Sequence, residues 1–248
     1  MILSLRSFRN LMALAAAGVL GGCTVAVPDN YSSADVAPRL SPDYSSVTIP
    51  CNIAPMNFRI EDDGDEFITR LTTVHGGPDD GITVAGRTLD IPAGAWHRLI
   101  GNAAGDTLIA DIYVRRGDSW TRYPAIRNAI ADSIDPYISY RLIEPSYISF
   151  ETMAICQRDL TGFDEREIFN SQALSTEEEG QCMNCHSYQD YNRQGNMQLH
   201  LRVRKGGTII KQGDRLKKVD LKTPQTISSG VYPAWHPSEQ LIAYSVNT

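Results

Sequence analysis

The sequence predicts a mainly β protein with a short cysteine-bearing segment between two β regions. Short runs of alternating apolar and polar residues recur between turns that contain Gly and Asp, which is typical of half-buried antiparallel strands. Between residues 47 and 147 no run has an extended helical period. The strand pattern returns after residue 197. We therefore expect an N-terminal antiparallel β-sandwich with immunoglobulin-like strand spacing, a short helical or loop segment, and a second β region.

Length and composition limit the classes of protein that this chain represents. Its 248 residues are enough for one or two domains of roughly 100–200 residues each. A content of 42% hydrophobic and 21% charged residues is ordinary for a globular protein. The net charge of −6 argues against nucleic acid as a partner, because phosphate binding relies on clustered Lys and Arg.

Residues 1–22 have the pattern of an export signal peptide. Arg6 and Arg9 precede an apolar run over residues 11–20, which is too short for the ~20 residues of a membrane span. The run ends in Leu-Gly-Gly-Cys at Cys23, which resembles the lipobox of bacterial lipoproteins. That resemblance implies lipidation of Cys23, a membrane anchor and a place in the cell envelope facing the periplasm. The alternative is an ordinary signal peptide with a cysteine nearby by coincidence.

Residues 23–46 form the predicted lipid-anchored linker. They are rich in Ser, Pro and Asp and have no apolar period, so we expect a tether without chemistry of its own.

The predicted sandwich covers residues 47–147. Residues 66–74 and 106–114 each place apolar side chains on alternate positions, as strands do. The turn-like residues 115–119 lead from the second of these runs into 120–123, as in a hairpin. A further alternating run is centred on Tyr140.

Residues 148–196 differ in pattern from the strand-like regions on either side, and we expect short helical turns between loops there. Ser-Thr-Glu-Glu at 175–178 fits a capping box at the start of a helix. The motif Cys182-Met-Asn-Cys185-His186 follows, and we expect it at or just after a helical turn.

Three chemistries begin with the spacing of Cys182 and Cys185. In c-type cytochromes two such thiols add to the vinyl groups of haem and the next histidine binds iron. The resemblance to cytochrome c covers these five residues only, and it implies one covalent haem c with His186 as the proximal ligand. A zinc site needs further ligands, and His200 and His236 lack the spacing of a zinc finger. A redox thiol pair or a disulfide is the remaining alternative. Export and the adjacent histidine favour haem.

A sixth iron ligand, His or Met, is expected downstream of the motif. His200 interrupts an apolar strand face and is the first candidate, so it joins His186 as a predicted metal ligand. His236 and Met197 are the other candidates. A lone histidine on such a face also occurs as a hydrogen-bonded core residue.

Two further cysteines, Cys51 and Cys156, remain after Cys23 and the motif are assigned. Thiols outside the cytoplasm are usually oxidised, metal-bound or blocked. We therefore predict a Cys51–Cys156 disulfide, with two buried free thiols as the alternative.

The end of the chain resembles the repeat of TolB-type β-propellers, in which a Pro-x-Trp-x-Pro turn precedes a strand. His236 departs from the serine usual in that repeat, and the following turn is also different. One blade takes roughly 40–45 residues, so the resemblance implies that residues 197–248 are the first blade of a propeller, cut off within a strand. The matching residues are Pro233, Trp235, Pro237, Ala243, Tyr244 and Ser245.

The order of lipobox, β-sandwich, haem segment and propeller repeat is similar to that of exported bacterial lipoproteins of the TolB-like, cytochrome-c-type propeller group. That resemblance implies a membrane-tethered monohaem c-type cytochrome that transfers or senses electrons with an unidentified redox partner protein. An electron carrier is favoured over an enzyme that turns over a substrate. The alternative is a non-redox propeller scaffold that binds a protein or glycan, with the cysteine pair as zinc ligands or a disulfide. A third hypothesis is a propeller oxidoreductase with its active site beyond residue 248.

Overall fold

The structure, a computed structural model, describes residues 25–246 except 78, 144, 146–152, 174–175, 177–180 and 204. The described residues form a mainly β protein with several sheets, none of them closed. The predicted mainly β class is thereby confirmed. The export signal, Cys23 and most of the capping box lie outside the described residues. Within the described part, no helix is both long and apolar enough to cross a membrane.

Strands are numbered β1 to β18 in chain order. The strands of the N-terminal half are β1 (Ser32–Ser33), β2 (Leu40–Ser41), β3 (Thr48–Pro50), β4 (Arg59–Ile60), β5 (Glu66–Thr73), β6 (Ile82–Ala85), β7 (Thr107–Arg116), β8 (Ser119–Arg122) and β9 (Ile126–Ala131). The later strands are β10 (Tyr137–Leu142), β11 (Ala154–Asp159), β12 (Glu165–Asn170), β13 (Gln181–Tyr188), β14 (Met197–Val203), β15 (Gly207–Gln212), β16 (Arg215–Val219), β17 (Val231–Trp235) and β18 (Ile242–Ser245). Helix α1 covers Ala93–Ile100.

The first sheet contains seven strands and is built around β7. Strand β7 pairs antiparallel with β5, β8 and β9, while β6 extends the β5 edge. The predicted strands at 66–74 and 106–114 and the hairpin into 120–123 are thus confirmed as β5, β7 and β8. Alternate residues of β5 are buried because one face of the sheet packs on a hydrophobic cluster, the first core. The first core includes Phe67, Leu71, Trp96 and Ile112.

Helix α1 was not predicted from the sequence. Its buried residues Trp96, Leu99 and Ile100 follow the i, i+3, i+4 spacing of one helix face. The helix has only eight residues, so the period repeats too few times to stand out in the sequence. Trp96 is completely buried in the first core, and its Nε1 donates a hydrogen bond to the Ile53 carbonyl at 2.8 Å.

Part of the predicted linker lies against the first sheet. Strand β1 pairs in parallel with β8, and β2 pairs with β4. Ala34, Leu40 and Tyr44 pack against the first core, and the Arg39 amide donates to the Asp62 carboxylate at 2.7 Å. These few apolar residues are too widely spaced to form a period, which is why the sequence predicted a tether.

Two more sheets follow the first. The run centred on Tyr140 is a strand, as predicted, but β10 pairs with β11 in a three-stranded antiparallel sheet rather than with the first sheet. Strands β13 to β16 form a four-stranded antiparallel sheet in which each strand pairs with the next along the chain. Strands β17 and β18 form a separate hairpin.

A second core joins the three-stranded and four-stranded sheets. It takes Ile155 from β11, Met183 from β13, and Leu199 and Leu201 from β14, with Met153 beside them. Met183 is completely buried. The cysteine motif therefore lies in a strand that is held from both sides, by pairing with β14 and by this core.

Candidate functional site

The Cys-x-x-Cys-His motif lies within β13 and not in a helical turn. Residues 177–180, where the sequence predicted a helical turn just before the motif, lie outside the described residues. Cys182 pairs with Arg202, Met183 with Leu201, and Asn184 with His200. The capping-box signal is local, whereas burial of Met183 and pairing with β14 involve residues distant in the sequence. Those longer-range contacts decide the conformation of this segment.

The second half of the motif forms a bulge in β13. The register with β14 shifts between Asn184 and Ser187, and Cys185 has a positive φ of 55°. A bulge redirects side chains that a regular strand would place on fixed alternate faces. The Asn184 side chain caps the bulge by accepting the Cys185 amide at 2.7 Å. Cys185 and His186 are thus the two residues of the motif without a direct partner in the strand pairing.

Both thiols of the motif are free and partly exposed. Cys182 packs against the second core. In regular strand positions residues three apart face opposite sides, and the bulge after Asn184 breaks that rule for Cys185. Both residues are partly exposed, and neither lines the cleft beside His186.

His186 lines an open cleft of about 870 Å³, which we call the His186 cleft. Burial lowers the pKa of His186, the positive charge of Arg141 lowers it further, and a hydrogen bond with the Ser139 backbone acts in the opposite direction. The imidazole is therefore neutral at pH 7.

The His186 cleft lies where β10, β13 and β17 meet, and its walls combine aromatic and polar residues. Tyr188 contacts His186 edge-on, with ring centroids 6.2 Å apart. Sequence analysis did not select these wall residues, because they come from three distant segments and each alone resembles an ordinary strand residue. The aromatic residues that line the cleft are Tyr137, Tyr188, Tyr191 and Trp235.

One rim of the cleft is a left-handed turn at Asp190–Asn192. These three consecutive residues have φ of 43°, 54° and 66°, a conformation that costs roughly 1–2 kcal/mol for each residue with a side chain. The Tyr191 ring at its centre is 85% exposed. Such strain persists where surrounding contacts hold it, and it clusters at functional sites.

The β17–β18 hairpin forms the opposite wall. The Trp235 Nε1 donates to the Ser187 carbonyl at 3.3 Å, next to His186 in the chain. The same hairpin provides Pro233 and Pro237 to the cleft. Three of the residues that resemble the TolB repeat are therefore wall residues of the cleft that His186 lines.

The three candidates for a sixth ligand lie in different surroundings, and none of them lines the His186 cleft. His200 is buried and its Nδ1 is 3.0 Å from the Thr208 hydroxyl. Met197 packs against the second core. His236 lies between two wall residues, Trp235 and Pro237, but its Nδ1 accepts the Glu239 amide at 2.9 Å. A neutral imidazole with that bond carries its proton on Nε2, so no lone pair faces outward.

The predicted Cys51–Cys156 disulfide is not present in the structure. Cys51 belongs to the first core, and Cys156 lies on β11, opposite Tyr140. Both are buried and free in the structure, and the disulfide between them stays a prediction. Burial raises the pKa of the Cys156 thiol, and the carboxylates of Glu165 and Glu167 raise it further.

Among the described residues, no three His, Cys, Asp or Glu side chains are grouped as a metal site would require. No protein-family model matches the chain, and no curated protein or solved structure shows significant similarity to it.

Proposed function

We propose that this protein is a membrane-tethered monohaem c-type cytochrome that transfers or senses electrons. The observation that carries the proposal is the state of His186. It is a partly buried imidazole whose pKa is lowered by burial, so the ring is neutral, as a metal-binding histidine must be. It directly follows a Cys-x-x-Cys pair of free, partly exposed residues and lines a cleft with four aromatic residues in its walls.

The donor chemistry of the motif fits covalent haem. Cys182 and Cys185 would hold the group through thioethers, and His186 would bind the iron. Haem supplies one-electron chemistry at its iron, with a potential that depends on the axial ligands and on burial. The cleft volume of about 870 Å³ falls within the ~300–1,000 Å³ common for cofactor sites. His186 lines this cleft and Cys182 and Cys185 do not, so covalent attachment would require both thiols to turn toward it.

The protein residues around His186 would control its basicity and access to water. Tyr188 contacts the His186 ring edge-on, and Trp235 donates a hydrogen bond to the carbonyl of the adjacent Ser187. Arg141 adds a positive charge nearby, which favours reduced iron over oxidised iron.

We also propose that the β region after residue 180 is the start of a propeller and that the first sheet is part of a sandwich. A propeller blade is a four-stranded antiparallel sheet, which is the arrangement of β13 to β16. The TolB-like hairpin β17–β18 would begin the next blade. On this assignment the haem motif lies on the first strand of a blade.

The membrane tether is proposed from residues 1–23 alone. Lipid on Cys23 would place the protein on an envelope membrane facing the periplasm, and an acidic chain of net charge −6 suits a protein partner rather than nucleic acid. Metabolic labelling with a radioactive fatty acid should label the wild type and not Cys23→Ala. Equal labelling would contradict the proposal.

Covalent haem is tested by expression in a host that matures c-type cytochromes. The denatured protein should retain haem on a gel and give a c-type pyridine haemochrome spectrum. Cys182→Ala and Cys185→Ala should each lose one thioether, which shifts that spectrum, and the double variant should lose covalent haem. Cys156→Ala is the matched control and should retain it. Colourless wild-type protein from a competent host would contradict the proposal.

A second candidate function is glycan binding in the His186 cleft. Flat aromatic rings with a few polar groups at the rim bind sugars, and here Tyr191 is 85% exposed between Asp190 and Asn192. On this hypothesis Tyr191→Ala should abolish binding on a glycan array while haem content stays at zero. If the wild-type protein contained haem and bound no glycan on the array, the glycan-binding hypothesis would be rejected.

A further inference from the structure

A second cleft lies on the four-stranded sheet, away from the cysteine motif. It has a volume of about 670 Å³ and lies between β14, the β14–β15 turn and the segment that leads into β17. We call it the His200 cleft. It shares no lining residue with the His186 cleft, so it is a separate site on the same sheet.

A buried histidine forms part of its wall. His200 is only 4% exposed, yet its ring lines the cleft. Its Nδ1 is 3.0 Å from the Thr208 hydroxyl, and Thr208 is itself completely buried. Nε2 has no hydrogen-bond partner among the described residues. Nε2 is not one of the buried atoms that lack a partner, so water or a ligand in the cleft can reach it and hydrogen-bond to it.

The residues around His200 decide its charge and which ring nitrogen carries the proton. Burial lowers the pKa of His200, and the positive charge of Arg202 lowers it further. The neutral ring has one N–H, and the Thr208 hydroxyl can donate to Nδ1. In that arrangement Nε2 carries the proton and is a hydrogen-bond donor toward the cleft.

The charged side chains of the cleft are mainly positive. Arg202 and Lys222 are exposed lining residues, and neither has an ion-pair partner among the described residues. Asp220 also lines the cleft, but its carboxylate accepts the Lys222 amide at 2.9 Å. Ser228 and Ser229 add hydroxyl groups from the segment that leads into β17. Donors thus come from separate segments of the chain.

We propose that the His200 cleft binds a small ligand through a phosphate monoester group, with His200 Nε2, Arg202 and Lys222 as donors. Phosphate offers several acceptor oxygens in different directions, and Arg pairs with it through two parallel hydrogen bonds. A carboxylate presents fewer oxygens in one plane and would leave some of these donors without a partner. The cleft is larger than a phosphate ion, so it has room for the organic part of the ligand. This proposal does not depend on haem.

Calorimetric titration of the full chain with phenyl phosphate and inorganic phosphate tests the site. Sodium chloride and acetate at the same ionic strength are the comparison solutes. We expect saturable binding of one phenyl phosphate per chain, weaker binding of inorganic phosphate, and no saturable binding of acetate. Acetate binding as tight as that of phenyl phosphate would overturn the proposal.

Variants separate the site from general attraction to positive charge. Arg202→Gln and Lys222→Gln should each weaken phenyl phosphate binding at least about tenfold, the usual size for a lost charged hydrogen bond. Lys217→Gln removes an exposed lysine on β16 that lies outside the cleft and should change affinity less than about twofold. Equal effects of all three variants would overturn the proposal.

The role of His200 has its own measurement. In two-dimensional ¹⁵N–¹H spectra of the imidazole rings, His200 should be the Nε2–H tautomer, and phenyl phosphate should shift its Nε2 signal. Thr208→Val should weaken binding without contacting the ligand, because Nδ1 loses its donor. An Nδ1–H tautomer that does not respond to phenyl phosphate would overturn the assignment. If Thr208→Val does not fold, the Arg202→Gln and Lys222→Gln variants still test the site.

Discussion

The side-chain amide of Gln189 donates to the backbone carbonyl of His236 at 2.7 Å, across 47 positions of sequence. The same nitrogen donates to the Glu239 carbonyl at 2.8 Å, and the Gln189 oxygen accepts the Asn196 side chain at 2.8 Å. Gln189 is buried. One side chain therefore fixes the β17–β18 hairpin to the end of β13, and with it the far wall of the His186 cleft.

Replacement of Gln189 should detach this hairpin. Gln189→Ala leaves the His236 and Glu239 carbonyls without their partner, and we expect a loss of about 1–3 kcal/mol of unfolding free energy. Limited proteolysis should then cut near residue 230 before the rest of the chain. Gln225→Ala changes an exposed glutamine and should behave as wild type. Equal protease resistance of both variants would show that the hairpin is held by other contacts.

The strands of the first sheet could be predicted because they have a clear local period. In β5, Phe67 and Leu71 are buried at positions that the alternation assigns to one face. Helix α1 was missed because Trp96, Leu99 and Ile100 span little more than one turn. The pairing of β10 with β11 was missed for a different reason, since alternation gives the face of a strand and not its partner.

The residues of the candidate site could be selected from the sequence, whereas their surroundings could not. Cys182, Cys185 and His186 were selected by spacing, which the sequence displays directly. Their strand conformation depends on β14 and on the second core. Trp235 was noted only as part of the TolB-like repeat, and its place beside His186 depends on the hairpin contact made by Gln189. Contacts over nearly fifty positions leave no local signal in one sequence.

Packing inside the β17–β18 hairpin leaves no room at Gly230. A Cβ there would lie 2.6 Å from the Tyr244 Cβ and 2.9 Å from its Cγ, so Gly230→Ala must push the two strands apart. We expect a loss of about 1–3 kcal/mol of unfolding free energy, measured by urea denaturation. Gly162→Ala is the matched control, because a Cβ at Gly162 meets no atom within 4 Å. If the two variants were equally stable, the close approach of Gly230 and Tyr244 would be contradicted.

Tyr140 should ionise at an unusually high pH. Its hydroxyl donates a hydrogen bond to Glu165, which with burial and the charge of Glu165 raises the pKa of Tyr140 to about 12. The ionised phenolate would lose that bond and face a carboxylate. In a difference titration at 295 nm, wild type minus Tyr140→Phe should give one step near pH 12, and Glu165→Gln should move it toward the usual value of about 10. A single-tyrosine step near pH 10 in the wild type would reject the hydrogen bond.

The four described cysteines should fall into two reactivity classes in haem-free protein with Cys23→Ala. Cys182 and Cys185 are partly exposed, whereas Cys51 and Cys156 are buried. The thiolate is the reactive form. Burial raises the pKa of Cys156, and the negative charges of Glu165 and Glu167 raise it further. We expect Cys182 and Cys185 to react with Ellman's reagent at least about tenfold faster than the buried pair, which reacts once the chain opens.

All four cysteines should react in denaturant without a reducing agent, and Cys156→Ala should remove half of the slow phase. A peptide linking Cys51 to Cys156 in mass spectra of non-reduced protein would show instead that the two thiols are joined.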